Sequence, residues 1–599
     1  MSSERIRAKL GNILELAPEL KVILLAPDRP GVKRRKARAF LSRLLTATFQ
    51  DNPEIPSLEW ILVRDAIGVF RGILSERSER LAGFSFLKYL DSLLQGKDTG
   101  RYEKPSPGFY AELDHLLRGI MGKTGIYTEK VPAFIKYEGE RAAKMRSSDL
   151  SRMARQAKRF MDRYPCGTDE DAVRRRRRNR DVILTRLGGN LEDWKNWKWQ
   201  GRNIIKDVET LGSLISLSDD EREAVRLAGK YRIAFGITPY YLSLMDRHPR
   251  DGRDAAVRAQ VIPSLHYVQK MKEFRDCEES SMDFMLERDT SPIEGITRRY
   301  PMIVILKPFM TCPQICVYCQ RNWEIEDVHS SHAVLPREKL DRALRWIEET
   351  PEINEVLITG GDPFLLSDLK LETILSRLAS IRHVERIRLG TRTPVTLPQR
   401  ITDSLVQMIR RYQQPGRREV MIVTHFEQSY EISPEAVEAV QRFRMAGIEV
   451  YNQLVYTFYN SRKFEAAALR HKLRLCGVTP YYTFNTKGKE ETDDYRVPIA
   501  RLLQEQKEEA RLMPGTVRTD EVVFNVPGLG KNYLRALQHH DVISILPNGQ
   551  RVYEFHPWEK QLALVDTYLY TDVSIYDYLK RLHAAGENTA NYRTIWHYY

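Results

Sequence analysis

The sequence predicts an α/β fold in which strands alternate with amphipathic helices to form a barrel or an open sheet. From about residue 300, helical stretches such as REKLDRALRWIEET separate short apolar runs. Six runs have strand character: IVILKPF (303–309), EVLITG (355–360), RIRLGT (386–391), VMIVTHF (420–426), VYNQLVY (450–456) and PYYTFNT (480–486). Because a helix follows each strand, we expect parallel strands with right-handed crossovers, and chemistry at their carboxyl ends.

The residues before these strands are predicted to be mostly helical. Apolar residues recur at helical spacing in RKARAFLSRLLTATF (35–49) and SERLAGFSFLKYLDSLLQ (78–95). The stretch DTGRYEKPSPG near 98–108 has the composition of a loop or linker. We therefore expect a division into four segments: a helical accessory domain of unknown role (1–187), a helical lead-in (188–295), the strand–helix core (296–500) and a C-terminal segment (501–599).

Composition excludes several classes of protein. Of 599 residues, 42% are hydrophobic and 10% aromatic, which is enough for large cores and excludes a disordered or collagen-like chain. Charged residues interrupt every apolar stretch, so no membrane span is expected. The start MSSERIRAKLGNILEL lacks the apolar region of a signal peptide. We therefore expect a cytoplasmic protein whose 6 cysteines are reduced thiols.

Positive charge is concentrated in one stretch of the chain. The whole chain has 94 Lys+Arg and 80 Asp+Glu, and residues 141–180 alone hold 14 Lys/Arg against 5 Asp/Glu, with a peak at 174–178. Such a block can mark a surface for nucleic acid or for an acidic partner. No RRM, KH, zinc-finger or homeodomain pattern accompanies it. A solvated helix face is the preferred interpretation, and nucleic acid is not an expected partner.

A cysteine cluster follows the first predicted strand. In TCPQICVYCQR, Cys312, Cys316 and Cys319 have the spacing C-x3-C-x2-C. Three thiolates on one short loop can bind three irons of a [4Fe–4S] cluster and leave the fourth iron open. A structural zinc site usually has four protein ligands, and no His or fourth Cys lies near in sequence. The remaining cysteines are interpreted as structural or incidental thiols, namely Cys166, Cys277 and Cys476.

The cysteine loop resembles that of the radical S-adenosylmethionine (SAM) superfamily, including the aromatic Tyr318 before the third cysteine. The second predicted strand ends in TGGDP, where Gly360, Gly361 and Asp362 resemble the motif that receives the SAM amino group. The resemblance implies a partial (β/α)6 barrel, with SAM bound at the open iron and cleaved to a 5′-deoxyadenosyl radical. It also implies an electron donor of the flavodoxin or ferredoxin type.

A longer series of motifs resembles the lysine 2,3-aminomutase family. The motifs lie between about 190 and 560 and are, in order, LEDWKNWKWQGRN, GITPYYLSLMD, RRYPMIVIL, the cysteine loop, LITGGDPFLLSD, RIRLGTRTPVTLPQRIT, VTHFEQ, YNQLVY, PYYTFNTKG and VPGLGKN. The resemblance implies that pyridoxal phosphate (PLP) acts beside SAM. It also implies transfer of an amino group from the α- to the β-carbon of a small-molecule amino acid. A homo-oligomer is expected.

The resemblance implies roles for individual residues. Lys531 in NVPGLGKN is implied to carry PLP, although the glycine turn is one residue shorter than in the family's lysine enzyme. From these residues alone, a glycine turn with a surface lysine is the simpler interpretation. Arg321 is implied to bind the substrate α-carboxylate, which suits its planar guanidinium. The other implied contacts are with PLP for Arg299, Tyr300 and Arg392, and with SAM for His425 and Gln453.

Two positions indicate which amino acid is the substrate. The family's lysine enzyme holds the distal ammonium between two aspartates, and an ungapped count places Lys487 and Asn525 at these positions. An ammonium beside Lys487 would be repelled, whereas a distal carboxylate would accept hydrogen bonds from both residues. The pair resembles that of glutamate 2,3-aminomutases, so conversion of L-glutamate to β-glutamate is expected. Lys489 is an alternative for the role, and Lys487 could instead be a solvent-facing loop residue.

Other functions stay open at this stage. The substrate could be another acidic or neutral amino acid. The chain could be a radical SAM enzyme that modifies RNA or protein, although most RNA-modifying members lack a PLP lysine. It could also be a non-catalytic basic scaffold, against which the intact cysteines, Arg321 and Lys531 argue. The lysine enzyme binds zinc through a cysteine-rich C-terminus, and because no cysteine follows Cys476, no such zinc is expected here.

Overall fold

A computed structural model describes residues 3–50, 59–97, 99–100, 102–127, 131–249, 252–276, 283–325, 327–330, 332–536, 538–557 and 561–599, so Cys277 lies outside the described residues. The chain divides into unit 1, formed by Met1–Lys158, Val497–Leu512 and Lys531–Tyr599, and unit 2, formed by Arg159–Arg496 and Met513–Gly530. Each unit combines segments that are distant in sequence. The four-part division stays a prediction about domain roles. Within the described residues, no helix is long and apolar enough to cross a membrane.

Unit 1 opens with the predicted helices. Their bounds are α1 (Ser3–Leu14), α2 (Pro18–Leu25), α3 (Pro30–Ala47), α4 (Trp60–Ile73), α5 (Glu76–Ala82), α6 (Phe86–Gln95) and α7 (Pro107–Ile120). The apolar pattern over 78–95 runs across the break between α5 and α6, where Gly83 adopts a φ of 61°. The Ser85 side chain then caps α6. The apolar faces share one core, in which Phe70 and Phe86 meet edge to face at 6.2 Å.

The basic block lies on α8 (Gly139–Met161) and α9 (Glu170–Leu187), and the two helices differ. Nearly all of α8 is exposed or half-buried, and Ala157 is its buried residue. On α9, the buried Arg176 pairs with Glu435 of unit 2, and Arg175 Nε lies 3.6 Å from an oxygen of Asp246. The interpretation of the whole block as a solvated face is therefore wrong for Arg175 and Arg176, which bind carboxylates within unit 2.

A series of short helices leads into the sheet, as predicted. Their bounds are α10 (Leu191–Lys195), α11 (Trp197–Arg202), α12 (Val208–Leu214), α13 (Asp219–Lys230), α14 (Pro239–Leu242), α15 (Ala255–Ala259) and α16 (Leu265–Asp276). Local side chains define where these helices begin. Asn190 and Asp193 form a reciprocal capping box at α10, and Ser218 and Glu221 form another at α13.

The six predicted strands are confirmed, and they pair in parallel in sequence order. The strands of unit 2 are β1 (Ile296–Thr297), β2 (Ile303–Phe309), β3 (Glu355–Gly360), β4 (Arg386–Gly390), β5 (Glu419–Thr424), β6 (Glu449–Tyr456), β7 (Val478–Asn485) and β8 (Glu521–Val526). The predicted strands correspond to β2 to β7. In addition, β1 pairs antiparallel with β2, and β8 extends the sheet in parallel beyond β7. The parallel strands therefore present their carboxyl ends at one edge, where ligands bind in such folds.

Helices connect successive parallel strands and bury their apolar faces. Their bounds are α17 (Arg337–Glu348), α18 (Asp368–Ser380), α19 (Thr393–Thr396), α20 (Asp403–Arg410), α21 (Pro434–Met445) and α22 (Glu465–Leu475). β-Branched strand residues such as Val356, Ile387 and Ile422 are fully buried. The confirmed fold is thus an α/β fold with a partial barrel of parallel strands and a helical N-terminal region.

The C-terminal residues of unit 1 form a small antiparallel sheet. The elements are α23 (Ile499–Ala510), β10 (His540–Ile545), β11 (Arg551–Phe555), β12 (Tyr568–Thr571) and α24 (Ile575–Ala584), and β10, β11 and β12 pair in that order. The short strand β9 (Gly530–Tyr533), which begins at the last residue of unit 2, does not belong to this sheet. Arg551 forms a buried ion pair with Glu112 of α7 at 3.0 Å. It also donates to the carbonyls of Trp596 and Tyr598. This arginine therefore ties the chain end to the N-terminal helices of unit 1.

Unit 1 also holds histidines whose pKa values predict acid sensitivity. Burial lowers the pKa of His115 and His540 to about 4 and that of His597 to about 3. Each ring is neutral when folded and gains a proton on unfolding below its ordinary pKa of 6.5. Above that pH the three histidines therefore do not lower the free energy of unfolding. As the pH falls from there toward their folded-state pKa values, they lower it progressively.

We expect the unfolding temperature of the parent protein to fall between about pH 7 and about pH 5 more steeply than that of His597→Phe, because phenylalanine takes up no proton. Differential scanning calorimetry at both pH values measures the difference. Carboxylates titrate equally in the two proteins and cancel in the comparison. Parallel pH curves would show that His597 does not contribute.

Candidate active site

The predicted cluster ligands lie together on the loop that follows β2. Cys312, Cys316 and Cys319 are half-buried free thiols, and two of them pack against an apolar cluster that includes Ile315. Burial raises the pKa of Cys312 well above its ordinary value, and the charge of Asp362 and of the other two thiols raises it further. The three sulfurs are thus close enough to influence one another.

The donor set of this loop, three thiolates, fits an iron–sulfur cluster. Within the described ranges, no three His, Cys, Asp or Glu side chains are placed to bind one ion. A [4Fe–4S] cluster instead takes each thiolate on a different iron. Arg392 Nη1 donates to Cys316 Sγ at 2.8 Å, and the Arg321 backbone N–H donates to Cys319 Sγ at 3.3 Å. Donors of this kind stabilise negatively charged thiolate ligands.

The two glycines after β3 let the cysteine loop lie directly against the sheet. A Cβ on Gly361 would be 2.1 Å from the Thr311 carbonyl oxygen, and Gly360 adopts a φ of 122°. The backbone N–H groups of Gly361 and Asp362 donate to the carbonyls of Phe309 and Thr311 at 2.7 and 2.9 Å. The glycines therefore have a structural role, and their contact with SAM stays a prediction.

Asp362 joins the loops that follow β3 and β4. Its buried carboxylate accepts hydrogen bonds from the Thr391 hydroxyl at 2.7 Å and from the Arg392 and Phe364 backbone N–H groups at 2.9 and 3.1 Å. Burial raises its pKa. The side chain thus holds Arg392 beside the cysteine loop, and the contact of Asp362 with SAM stays a prediction.

Arg392 is the centre of a buried network beside the cysteines. Its guanidinium pairs with Glu431 at 2.8 Å, donates to the side-chain oxygen of Gln260 and donates to the His425 carbonyl at 3.2 Å. The Tyr318 hydroxyl donates to the same Gln260 oxygen at 3.0 Å. The structure therefore brings Arg392 together with two residues predicted to contact SAM. Its predicted contact with the PLP phosphate stays a prediction.

The same network contains Glu427, which the sequence analysis missed. It is buried and accepts from the Val455 backbone N–H at 2.7 Å. Burial raises the pKa of Glu427 to about 8, whereas burial and Arg392 lower the pKa of His425 to about 4. A backbone group of Gln453 contacts the His425 ring. Burial therefore favours the uncharged form of both side chains.

A second group of side chains, which we call the charged pocket, consists of Glu287, Arg299, Gln320, Arg321 and Lys487. Arg321 binds Glu287 through two nitrogens, at 2.9 and 3.1 Å. Arg299 Nη2 lies 3.1 Å from the same carboxylate. Gln320 donates its amide N–H to Glu287 at 2.8 Å and accepts from the Lys487 ammonium. The structure thus brings together three predicted site residues around a glutamate that was not predicted.

Positive charge exceeds negative charge in and around the charged pocket. Lys307 lies 3.4 Å from Glu287 and 3.1 Å from Glu324, and Lys489 pairs with Glu491 at 2.6 Å. Together with the pocket's own cations, five positive side chains face three carboxylates. The excess matches a ligand that brings two or more negative charges.

Lys487 experiences this excess most directly. Burial and the charge of Lys489 hold the pKa of Lys487 well below its ordinary value, with Arg299 and Arg321 adding to the effect. It is half-buried and bonded to Gln320, so the alternative of a solvent-facing loop residue is wrong. A carboxylate placed beside Lys487 would relieve the repulsion and favour its charged form.

Lys489, the alternative for the same role, is already neutralised. Its ammonium pairs with Glu491 at 2.6 Å and donates to the Asn322 side-chain oxygen at 2.6 Å. All three side chains are buried. Using Lys489 to bind a substrate carboxylate would leave Glu491 buried without its partner, which is costly. Lys487 is therefore the better candidate.

Asn525 lies at the carboxyl end of β8. Strands β7 and β8 pair in parallel as far as Phe484 and Val523. Lys487 comes three residues after Phe484, and Asn525 comes two residues after Val523. Asn525 is half-buried. The register therefore places the two predicted distal-carboxylate residues at the same edge of the sheet.

Arg299 retains capacity to bind an anion. Its Nε is buried and has no hydrogen-bond partner among the described residues. Burial lowers the pKa of this guanidinium, and Tyr300, which follows it, is half-buried. A phosphate would satisfy the unpaired donor. The predicted contacts of both residues with PLP remain predictions.

Lys531 is the first residue of its segment of unit 1 and is half-buried at the start of β9. Gly528 and Gly530 adopt φ values of 70° and 78°, which favour glycine and explain the GLG turn. The next residue, Asn532, is buried and donates to the His556 carbonyl at 3.2 Å. The turn therefore needs its glycines, and attachment of PLP to Lys531 stays a prediction.

The fold and this site define a class of protein. A partial barrel of parallel strands carries a C-x3-C-x2-C loop after its first parallel strand, and the sequence profile of the radical SAM superfamily matches residues 306–469. A protein of Methanocaldococcus jannaschii described as an uncharacterized KamA family protein is 45% identical over 559 residues, which cover 90% of this chain and 89% of that protein. The chain belongs to the KamA family.

Two relatives with named activities match a smaller part of the chain. The glutamate 2,3-aminomutase of Clostridioides difficile is 38% identical over 363 residues, covering 60% of this chain and 79% of that enzyme. The L-lysine 2,3-aminomutase of Bacillus subtilis is 36% identical over 358 residues, covering 60% and 72%. The match to the M. jannaschii protein therefore extends over residues that these aminomutase alignments leave out.

Proposed function

We propose that the protein is a radical SAM, PLP-dependent 2,3-aminomutase that converts L-glutamate to β-glutamate. The two named aminomutases support the reaction class. The charged pocket supports an acidic substrate, because Lys487 lies among other cations and has no carboxylate partner among the described residues. A substrate with a second carboxylate supplies the missing negative charge.

The residues of the pocket divide the substrate between them. Arg321 binds the α-carboxylate with the part of its guanidinium that its two-nitrogen contact with Glu287 leaves open. Lys487 donates a charge-assisted hydrogen bond to the distal carboxylate, and Asn525 donates a second from the neighbouring strand. Two fixed points hold the carbon chain, so the β-carbon hydrogen and the amino group keep one orientation.

The cofactors are assigned to residues in the same way. On one-electron reduction, the cluster and SAM would supply the radical that removes a hydrogen from the substrate, and PLP would supply a conjugated ring that delocalises the unpaired electron while the nitrogen moves between the two carbons. Cys312, Cys316 and Cys319 hold the cluster. The network around Arg392 forms the SAM side of the site. Lys531 would attach PLP, and Arg299, Tyr300 and Arg392 would contact it. An acidic flavodoxin or ferredoxin is the proposed electron donor, and the proposed assembly is a homo-oligomer.

Replacing Lys487 by methionine tests the substrate assignment. A hydrogen bond to a charged group contributes about 1.5–3 kcal/mol, so we expect kcat/KM for glutamate to fall about 10- to 150-fold. Reductive SAM cleavage and PLP loading should be unchanged, because neither cofactor is assigned to Lys487. The matched control is Lys370→Met, which removes an exposed lysine from α18 of the same unit. If Lys487→Met turned over glutamate as efficiently as the parent, the assignment would lose its main support.

The reversed charge gives a second test of the same pocket. The double variant Lys487→Asp, Asn525→Asp presents two carboxylates and should repel glutamate. It should admit lysine weakly, since pocket shape also determines specificity. Competition between the two amino acids for PLP-loaded protein measures the change in preference. Unchanged preference for glutamate would place the distal carboxylate elsewhere.

A further inference from the structure

We propose that Gln320 holds Lys487 at a fixed position relative to Arg321, so that its side-chain amide selects the length of the dicarboxylic substrate. The inference rests on the proposed function and deepens it. Gln320 is a positioning residue, because it acts on the substrate through Lys487. No sequence motif assigned it a role.

The amide of Gln320 connects the two ends of the charged pocket. Its nitrogen donates to Glu287 Oε1 at 2.8 Å, and its oxygen accepts from the Lys487 ammonium. Glu287 in turn binds Arg321 through two nitrogens. Arg321, which binds the α-carboxylate, is therefore linked through three consecutive polar contacts to Lys487, which binds the distal carboxylate. Because the Glu287 side chain is only 2% exposed, solvent does not readily replace these contacts.

The position of Gln320 requires a neutral hydrogen-bond acceptor for Lys487. Lys307 and Lys489, the other lysines near the pocket, are each paired with carboxylates. Lys487 is instead held by an amide oxygen, which orients the ammonium but does not cancel its charge. No carboxylate of the described residues therefore competes with the substrate for the Lys487 side chain. A glutamate in place of Gln320 would occupy the cation that the substrate needs.

Backbone geometry adds to the constraint. Gln320 and Arg321 are adjacent and follow Cys319 directly, and the Arg321 backbone N–H bonds to the Cys319 sulfur. The loop that carries a cluster ligand therefore also carries the α-carboxylate cation and positions the distal one. Glutamate has one methylene more than aspartate and one fewer than 2-aminoadipate. Because Arg321 and Lys487 are held at a fixed separation, only one of these three chain lengths allows both carboxylates to reach their cations together.

A double-mutant cycle on binding tests the inference. The proteins are the parent, Gln320→Met, Lys487→Met and the double variant, each loaded anaerobically with cluster and PLP but given no SAM, so that binding is measured without turnover. Calorimetric titration with aspartate, glutamate and 2-aminoadipate gives the affinities. We expect Gln320→Met to weaken glutamate binding about tenfold and to reduce its preference over the other two acids. In the Lys487→Met background the same change should have an effect of less than about twofold.

Equal losses in both backgrounds, or an unchanged length preference in Gln320→Met, would overturn the inference. Iron content and PLP absorbance equal to those of the parent show that the variants are folded. If Gln320→Met does not load its cofactors, Gln320→Asn takes its place. It keeps the amide but shortens it by one methylene, which draws Lys487 toward the cysteine loop and should shift the preference toward aspartate. An unshifted preference in Gln320→Asn would equally contradict the inference.

The parent protein reports separately on the proposed function. If the parent binds aspartate or 2-aminoadipate more tightly than glutamate, the proposed substrate is wrong, and the cycle is then carried out with the preferred acid. Non-additive losses with that acid would still support the role of Gln320. If the parent binds lysine and none of the three acids, both the proposed function and the inference fail.

Discussion

Replacing Cys312, Cys316 or Cys319 by alanine is expected to abolish reductive SAM cleavage and with it all turnover. Each of the three thiolates is assigned to a different iron of the cluster. Removal of one thiolate should therefore destabilise the cluster as a whole. Anaerobic reconstitution followed by iron and sulfide analysis, the brown absorbance and quantification of 5′-deoxyadenosine measure the loss.

Cys476→Ala is the matched control for these variants. Cys476 is a half-buried free thiol at the end of α22, and it should be replaceable without loss of iron. Full iron content in all three loop variants would remove the basis for a radical mechanism. Loss of iron in Cys476→Ala alone would mean that the ligands have been assigned to the wrong cysteines.

Replacing Lys531 by alanine is expected to remove covalently attached PLP and to abolish amino-group migration. A lysine amine is the group that attaches PLP to proteins, and alanine cannot replace it. Reductive SAM cleavage should remain possible, because Lys531 is assigned to PLP alone and not to the cluster or SAM. Visible absorbance of the loaded protein and borohydride fixation of the cofactor measure attachment.

The matched control is Lys580→Ala, which removes an exposed lysine of α24 in the same unit. It should retain both the absorbance and turnover. If borohydride still fixed PLP onto Lys531→Ala, a different lysine would be the attachment site. Mass spectrometry of the reduced protein would identify that lysine.

The sheet was largely predictable because its strands are short, apolar and separated by amphipathic helices. The runs at 303–309 and 355–360 coincide with β2 and β3. Strand β8 (Glu521–Val526) was not predicted. It follows β7 only after a helix and a long connection, and a short apolar run of this kind does not by itself distinguish strand from helix. Its pairing with β7 is a tertiary contact.

Composition was less informative about the basic block. Five consecutive arginines at 174–178 give no indication of which side chains face inward. That depends on helix phase and on the carboxylates packed against α9. Arg176 is buried because Glu435 and the ring of Tyr240 surround it, and both come from distant parts of the sequence.

The candidate site was predictable where its chemistry is local in sequence. The cysteine spacing is local, so three ligands were identified together. Glu287 was missed because its partner Arg321 is 34 residues away, and the contact of Gln320 with Lys487 spans 167 residues. An isolated Glu and a Gln beside a cysteine have no distinctive spacing. Only the fold shows that Lys489 is neutralised whereas Lys487 is not.

The most direct test of the proposed reaction is product analysis with the parent protein. The protein is reconstituted anaerobically with iron, sulfide, PLP and SAM, reduced, and incubated with each common amino acid in turn. We predict that glutamate alone yields a new β-amino acid, β-glutamate, while SAM is largely regenerated. Formation of β-lysine from lysine, or no β-glutamate despite cleavage of SAM, would contradict the account.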